Sequence, residues 1–181
     1  MINIKIDDKQ IMDFAKKSPK RARWASAEAL KMCGGHYRKK LRAYIEQGGE
    51  NWPPLSPTTI KIKERQGLRH LTPLYGLGKY SRFRYGVRKG IQRVTLGFLT
   101  PKIARIIRIC EVGRRRKVTP ALRKFYHVMG VHLKKSTKYI NIPARPIIKP
   151  FWKKHEKGVQ IYIEKRFFEK FFSKEKSRIK I

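Results

Sequence analysis

The chain has 181 residues, 40% of them hydrophobic with 9 Phe, which argues for a packed domain rather than a disordered polycation. Lys and Arg number 46 against 12 Asp and Glu, a net charge of +34, and such self-repulsion calls for a polyanion or an acidic protein surface nearby. The two cysteines, Cys33 and Cys110, stand far apart in no metal-ligand spacing, which excludes a disulfide framework and fits a reducing cytoplasm. Met1 to Ile6 is short and followed directly by Asp7-Asp8, unlike a signal peptide, and the longest apolar stretches are broken by Lys or Arg well below the length of a membrane span. A soluble protein used inside the cell, with no membrane partner, is expected.

In chain order, Ile2, Ile4 and Ile6 alternate with polar residues, as in a short strand or an extended arm. Asp7 or Asp8 can cap a short helix with Ile11, Phe14 and Ala15 on one face. Ser18-Pro19 opens a longer helix whose inward stripe is Leu30, Cys33, Tyr37, Leu41 and Tyr44, with Lys31, Arg38, Lys39, Lys40 and Arg42 mostly on other faces. Gly34-Gly35 weakens its middle by about 1 kcal/mol per glycine, which a close helix contact there would explain, and Gly48-Gly49 ends it. A proline-rich loop, 51–58, precedes a short helix from Thr58 to Gln66. Tyr80–Val87 and Val94–Phe98 form a hairpin around Arg88-Lys89-Gly90-Ile91. Ile103–Val112 reads as a short helix, Thr119-Pro120 opens another that runs to about Gly130, and Tyr139–Ile142 is a strand stopped at Pro143-Ala144-Arg145-Pro146.

The last element has two readings. Val159, Ile161 and Ile163 alternate as a strand would, whereas Trp152, Val159, Ile163, Phe167 and Phe171 suit a helix, which the length favours. The whole is expected to be α+β, with N- and C-terminal helices packed on a small, mostly antiparallel sheet. Its parts are an arm and short helix over 1–19, one domain over 20–173, and a basic tail over 174–181.

Enzyme signatures are missing. The histidines at 36, 70, 127, 132 and 155 do not form a metal set, and His127 and His132, five apart, miss the i, i+4 face of a helical zinc site. Gly76-Leu77-Gly78 lacks the Lys-Ser or Lys-Thr of a phosphate loop, and so few acids offer no carboxylate pair or nucleophile–base couple. No catalytic residue, metal or cofactor is assigned.

Four blocks in order carry a resemblance. They are Trp52-Pro53-Pro54-Leu55-Ser56-Pro57-Thr58-Thr59 with Lys61 or Lys63 after it, then Leu71-Thr72-Pro73-Leu74-Tyr75-Gly76-Leu77. The hairpin ending Val94-Thr95-Leu96-Gly97, with Ala104 and Glu111-Val112-Gly113 after it, is the third, and Ile142-Pro143-Ala144-Arg145-Pro146-Ile147 the fourth and most specific. Their order resembles the phage virion-morphogenesis, or tail-completion, family of the phage Mu type, over roughly Ala27 to Phe172. Val118-Thr119-Pro120 with Leu122-Arg123-Lys124-Phe125 is similar to an insertion seen in some members. Two departures stand out: the charge is more basic than the family pattern, and Ile147 stands where Phe is common.

The resemblance implies a structural virion protein that completes the tail or neck and allows tail-to-head joining. It would act as a subunit of a ring, hexameric by the resemblance, assembled in the host cytoplasm and retained in the virion. The implied partners are other copies of the chain, tail-tube, tail-terminator or neck and connector proteins, and DNA passing through the lumen. The alternative is a general nucleic-acid-binding protein, ribosomal-type or a packaging factor, with Tyr37, Tyr44, Tyr80, Phe83 and Tyr85 interleaved among cations.

Two groups of site residues follow. Pro143 and Pro146 hold Arg145 between rigid turns, which suits either capture of a carboxylate on a neighbouring subunit or a strand-to-helix connector whose arginine caps carbonyls of its own chain. Trp52 is a core anchor or an interface hot spot. Together Trp52, Pro143, Arg145 and Pro146 are the candidate subunit-interface residues. Arg114-Arg115-Arg116-Lys117 is too dense to pair internally, so it is a solvated loop or a contact to DNA or an acidic partner.

Overall fold

The computed structural model describes residues 2–4 and 18–173. The short helix expected from Asp7 or Asp8 with Ile11, Phe14 and Ala15, and the basic tail over 174–181, lie outside the described residues. The fold is α+β, with helices toward both ends of the chain and small antiparallel sheets. Residues 20–173, read above as one domain, fall into two compact units: 1–41 with 81–99 and 148–181, and 42–80 with 100–147.

In the first unit, helix α1 (Pro19–Glu46) contributes residues as far as Leu41. Ser18 accepts the first helical hydrogen bond from the Ala22 amide at 3.0 Å, and Pro19 follows where its missing N–H costs nothing. The buried stripe is longer than its large residues suggest: Ala22, Ala25 and Ala29 extend it ahead of Leu30, Cys33, Tyr37 and Leu41. Burial pushes the Cys33 thiol up to about 12, so it is an inert core atom.

Strands β2 (Arg82–Arg88) and β3 (Ile91–Gly97) form the hairpin, and β1 (Ile2–Ile4) pairs with the other edge of β3, giving the order β1-β3-β2. Lys89 and Gly90 turn the hairpin with φ of 50° and 76°, the left-handed pair that two-residue hairpin loops require. Register sets Phe83 opposite Leu96 and Tyr85 opposite Val94, on one face. That face meets α1 at Gly34, where a Cβ would stand 2.6 Å from Phe83 Cδ2 and 3.1 Å from Val94 Cγ1. The glycine pair in α1 thus admits a strand's aromatic ring rather than another helix.

Helix α2 (Pro57–Arg65) begins the second unit's run of short elements, and the C-terminal helix, α5 (Ile148–Phe172), returns to the first unit. The ambiguous stretch 158–164 is helical. Its buried residues Phe151, Val159, Ile163, Phe167 and Phe171 recur at multiples of four, so Phe151 takes the inward place and Trp152, expected on the stripe, is half-buried beside it. Alternation at Val159, Ile161 and Ile163 was only local, and Ile161 is exposed. Against α1, His36 stacks on Tyr162 with ring centroids 4.5 Å apart, and Tyr37 meets His155 and Tyr162 edge-on. Burial first, then the charges of Lys40, Arg166 and Lys39, holds the His36 pKa below its ordinary value of 6.5.

The second unit holds the end of α1, with Tyr44 and Ile45 buried, and Gly48 and Gly49 stopping the helix at φ of 94° and 62°. Ser56 caps α2 by accepting from the Thr59 amide at 3.3 Å. A 3-10 turn (Tyr75–Tyr80) closes this segment. Helix α3 (Pro101–Val112), strand β4 (Arg114–Lys117), helix α4 (Pro120–Val128) and strand β5 (Tyr139–Ile142) complete the unit, with β4 and β5 paired antiparallel. Thr119 caps α4 through the Leu122 amide at 3.2 Å. Among the described residues no helix is long and apolar enough to cross a membrane.

Two outcomes test the packing of the first unit. Both alanine substitutions gain about 1 kcal/mol of helix propensity, but only one collides with the sheet. Gly35→Ala, whose Cβ would have its nearest neighbour at 4.0 Å, is expected to raise stability in urea titration. Gly34→Ala is expected to lower it, because overpacking costs about 1–3 kcal/mol. The depressed His36 pKa means the unfolded chain binds the proton first, so stability falls as pH drops below 6.5 toward the folded value. His36→Gln is expected to flatten that part of the stability–pH curve.

Candidate functional site

The second unit brings together the first and fourth blocks of the sequence. After β5 the chain enters Pro143-Ala144-Arg145-Pro146, and the Arg145 amide donates to the Cys110 carbonyl at the end of α3, at 2.7 Å. Gly113 makes this approach possible: at φ 74° it lies so close that a Cβ would stand 2.8 Å from the Ile142 carbonyl and 2.9 Å from the Ala144 nitrogen.

From there the Arg145 side chain turns inward and is only 7% exposed. Its Nε donates to the Pro53 carbonyl at 3.2 Å, and Nη2 donates to the carbonyls of Pro53 and Pro54 at 3.0 and 3.1 Å. These carbonyls lie in a loop with neither helix nor ladder to satisfy them, and a buried acceptor needs a donor. The return contact comes from Trp52, whose Nε1 donates to the Pro146 carbonyl at 2.8 Å. The loops are therefore locked reciprocally, across 91 to 94 residues of sequence.

Trp52 also packs edge-on against Tyr44, centroids 6.1 Å apart, and the Tyr44 hydroxyl accepts from the Glu50 amide at 3.1 Å. Ile147, the position where the resemblance anticipated Phe, is completely buried. Burial lowers the Arg145 pKa, with Cys110 opposing the shift. Lys63 is lowered by burial and then by the Arg145 charge, and it too is turned onto carbonyls, those of His70 at 2.9 Å and Thr72 at 3.2 Å.

Of the expected interface residues, then, Arg145 is engaged by its own chain in the connector arrangement, and Trp52 is half-buried against it. Pro143 and Pro146 are exposed, with Ala144 between them, so the outer surface of the lock is a rigid proline rim. Nucleophile–base geometry is not offered by this site, whose groups are guanidinium, indole and backbone carbonyl.

The basic run 114–117 is not the loop that its charge density suggested. All four residues are exposed and form strand β4, because β5 supplies a hydrogen-bonded partner. The segment between α4 and β5 is fixed by Arg123, whose guanidinium donates to the carbonyls of Leu133, Lys134 and Thr137, each at 3.0 Å. In the sequence Arg123 and Lys63 stand out only within the stretches that carry the resemblance, with no task of their own, although 131–138, poor in regular structure, was a place where orphan carbonyls had to be met. His127 and His132 do approach, centroids 4.8 Å apart. Among the described residues no group of three His, Cys, Asp or Glu could hold a metal ion. Of the aromatic residues weighed for base stacking, Tyr37 and Tyr44 are buried, Phe83 and Tyr85 are half-buried, and Tyr80 is exposed.

No family model, no curated protein and no solved structure matches this chain.

The lock is expected to carry stability out of proportion to its size. Arg145→Ala leaves two carbonyls without their charged donor, and a loss of about 2–4 kcal/mol in denaturant titration is expected. Trp52→Phe keeps the ring but drops the hydrogen bond to Pro146, with an expected loss of about 1 kcal/mol. The double variant is expected to cost less than the sum of the two, since each half of the lock positions the other.

Proposed function

We propose that this chain is a structural phage virion protein that completes the tail or neck and makes it competent to join the head, as a subunit of an oligomeric ring. The observation that supports this reading is the reciprocal lock between Trp52-Pro53-Pro54 and Pro143-Ala144-Arg145-Pro146. These are the first and fourth of the four blocks whose order carries the tail-completion resemblance, and Trp52 and Arg145 each hold a carbonyl of the other block.

In this reading the ring forms by head-to-tail contacts that close by rotation. The exposed prolines at 143 and 146 present a stiff rim to a neighbouring copy at little entropic cost. Neck, tube or terminator proteins would meet the ring at its ends.

In a phage genome that encodes this chain, a nonsense mutation in its gene is expected to leave filled heads and unjoined tails and to abolish plaque formation. Wild-type particles are expected to contain the chain by mass spectrometry, and the purified protein to show rings by negative-stain microscopy. A strictly monomeric protein absent from particles would overturn the proposal.

A further inference from the structure

Register divides the basic run into two unlike faces. In the β4–β5 pair Arg115 stands opposite Asn141 and Lys117 opposite Tyr139, while Arg114 and Arg116 stand opposite Ile142 and Ile140. Side chains alternate along a strand, so Arg115, Lys117, Tyr139 and Asn141 share one face. All four are exposed, whereas the isoleucines of the other face are half-buried. All four cations are exposed, but the pairing sets Arg115 and Lys117 on the outward face with Tyr139 and Asn141, and Arg114 and Arg116 on the face of the half-buried isoleucines.

The outward face has a definite chemistry. It carries two cations, an amide and one aromatic ring, with no aliphatic side chain. Its apolar part is a single exposed ring, Tyr139, so charge and not apolar area dominates the face. Interfaces with nucleic acid are more polar and strongly positive. None of residues 114–117 is paired with a carboxylate among the described residues.

Tyr139 decides between kinds of nucleic acid. The Arg115 guanidinium lies 4.1 Å from the centre of its ring, a cation–π contact that covers one face of the phenol and fixes the arginine. Proteins that hold single strands offer free aromatic faces for bases to stack on. Here the ring is used to position a cation. Residues two apart on an antiparallel strand are separated by about 6.8 Å, so Arg115 and Lys117 can meet successive phosphates of one strand.

We propose that the Arg115, Lys117, Tyr139 and Asn141 face of the β4–β5 pair binds the phosphate backbone of duplex DNA without reading its sequence. Arg115 and Lys117 supply the charge, Tyr139 holds Arg115 in place, and Asn141 adds a neutral hydrogen-bonding group. Arg114 and Arg116, equal in charge, are left out of the contact by register. The proposal goes beyond the virion reading and does not depend on it, since a packaging factor would use the face in the same way.

The test is a fluorescence-anisotropy salt titration of the full chain on a short labelled duplex of mixed sequence. Two variants remove the same two charges: Arg115→Gln with Lys117→Gln, and Arg114→Gln with Arg116→Gln. The first is expected to reduce the slope of log affinity against log salt by about 1.8, two phosphates at about 0.9 each, and the second by much less. Tyr139→Leu keeps the charge and is expected to weaken binding about two- to fivefold. The exchange Arg115→Lys with Lys117→Arg, which retains both charges, is expected to keep most of the slope and guards against loss of folding in the glutamine pair. Equal slope changes in the two charge-matched variants would overturn the proposal, as would tighter binding of the corresponding single strand. Displacement of the duplex by poly-glutamate as readily as by unlabelled duplex of equal charge would instead assign the face to an acidic protein.

Discussion

With 46 cationic side chains and 12 carboxylates, most arginines and lysines in this chain have no acidic partner to take. The structure depends on a different use of their donors: capture of backbone carbonyls. Arg145 gathers Pro53 and Pro54, Arg123 gathers Leu133, Lys134 and Thr137, and Lys63 gathers His70 and Thr72. Each joins a cation to a loop that helix and sheet leave unsatisfied. Hydrogen bonds with one charged partner contribute about 1.5–3 kcal/mol, well above an exposed ion pair. The ion pairs Lys31–Glu28, Arg42–Glu46 and Arg166–Glu169 lie three or four residues apart on single helices, so they support local helix and not tertiary structure.

That arrangement explains how a unit of short elements holds its shape. Besides the end of α1, residues 42–80 and 100–147 contain two helices of nine residues, one of twelve, a six-residue 3-10 turn and a pair of four-residue strands. Neither nine-residue helix buries a residue fully. Such pieces are marginal alone, and they acquire fixed positions because arginine forks and one indole tie the loops between them. The first unit works by the opposite means. Its long helices and hairpin bury alanines, Leu30, Phe151 and Phe167 in ordinary close packing, with Gly34 admitting the Phe83 ring.

The two kinds of candidate site follow from these two uses of charge. Where a guanidinium finds carbonyls, as Arg145 does, it becomes part of the framework and leaves a rigid, neutral proline rim at the surface. Where a strand ladder already satisfies the backbone, as in β4, the cations have no carbonyls to collect and turn to solvent. Arg115 resting on Tyr139 is an intermediate case, held in place but still exposed.

Periodicity and punctuation made much of the secondary structure legible. Ser18-Pro19 and Gly48-Gly49 bound α1, Lys89-Gly90 turned the hairpin, and Thr119-Pro120 opened α4, because caps and turns are local chemistry. The stretch 158–164 was ambiguous because three alternating residues satisfy a strand and a helix alike; only the recurrence from Phe151 to Phe171 separates them. The strand at 114–117 was hidden because four like charges carry no hydrophobic alternation, and its partner lies more than twenty residues away across α4. Trp52, Pro143, Arg145 and Pro146 could be singled out from sequence as residues of special geometry. That Trp52 and Arg145 hold each other's loops could not. By itself the sequence determined the class of fold, most of the helices and the excess of cations. The hairpin strands, expected at 80–87 and 94–98, run over Arg82–Arg88 and Ile91–Gly97 because pairing extends them to the turn. Tertiary structure alone decided which cations became scaffold and which stayed at the surface, because that depends on where unsatisfied carbonyls from distant loops come to lie.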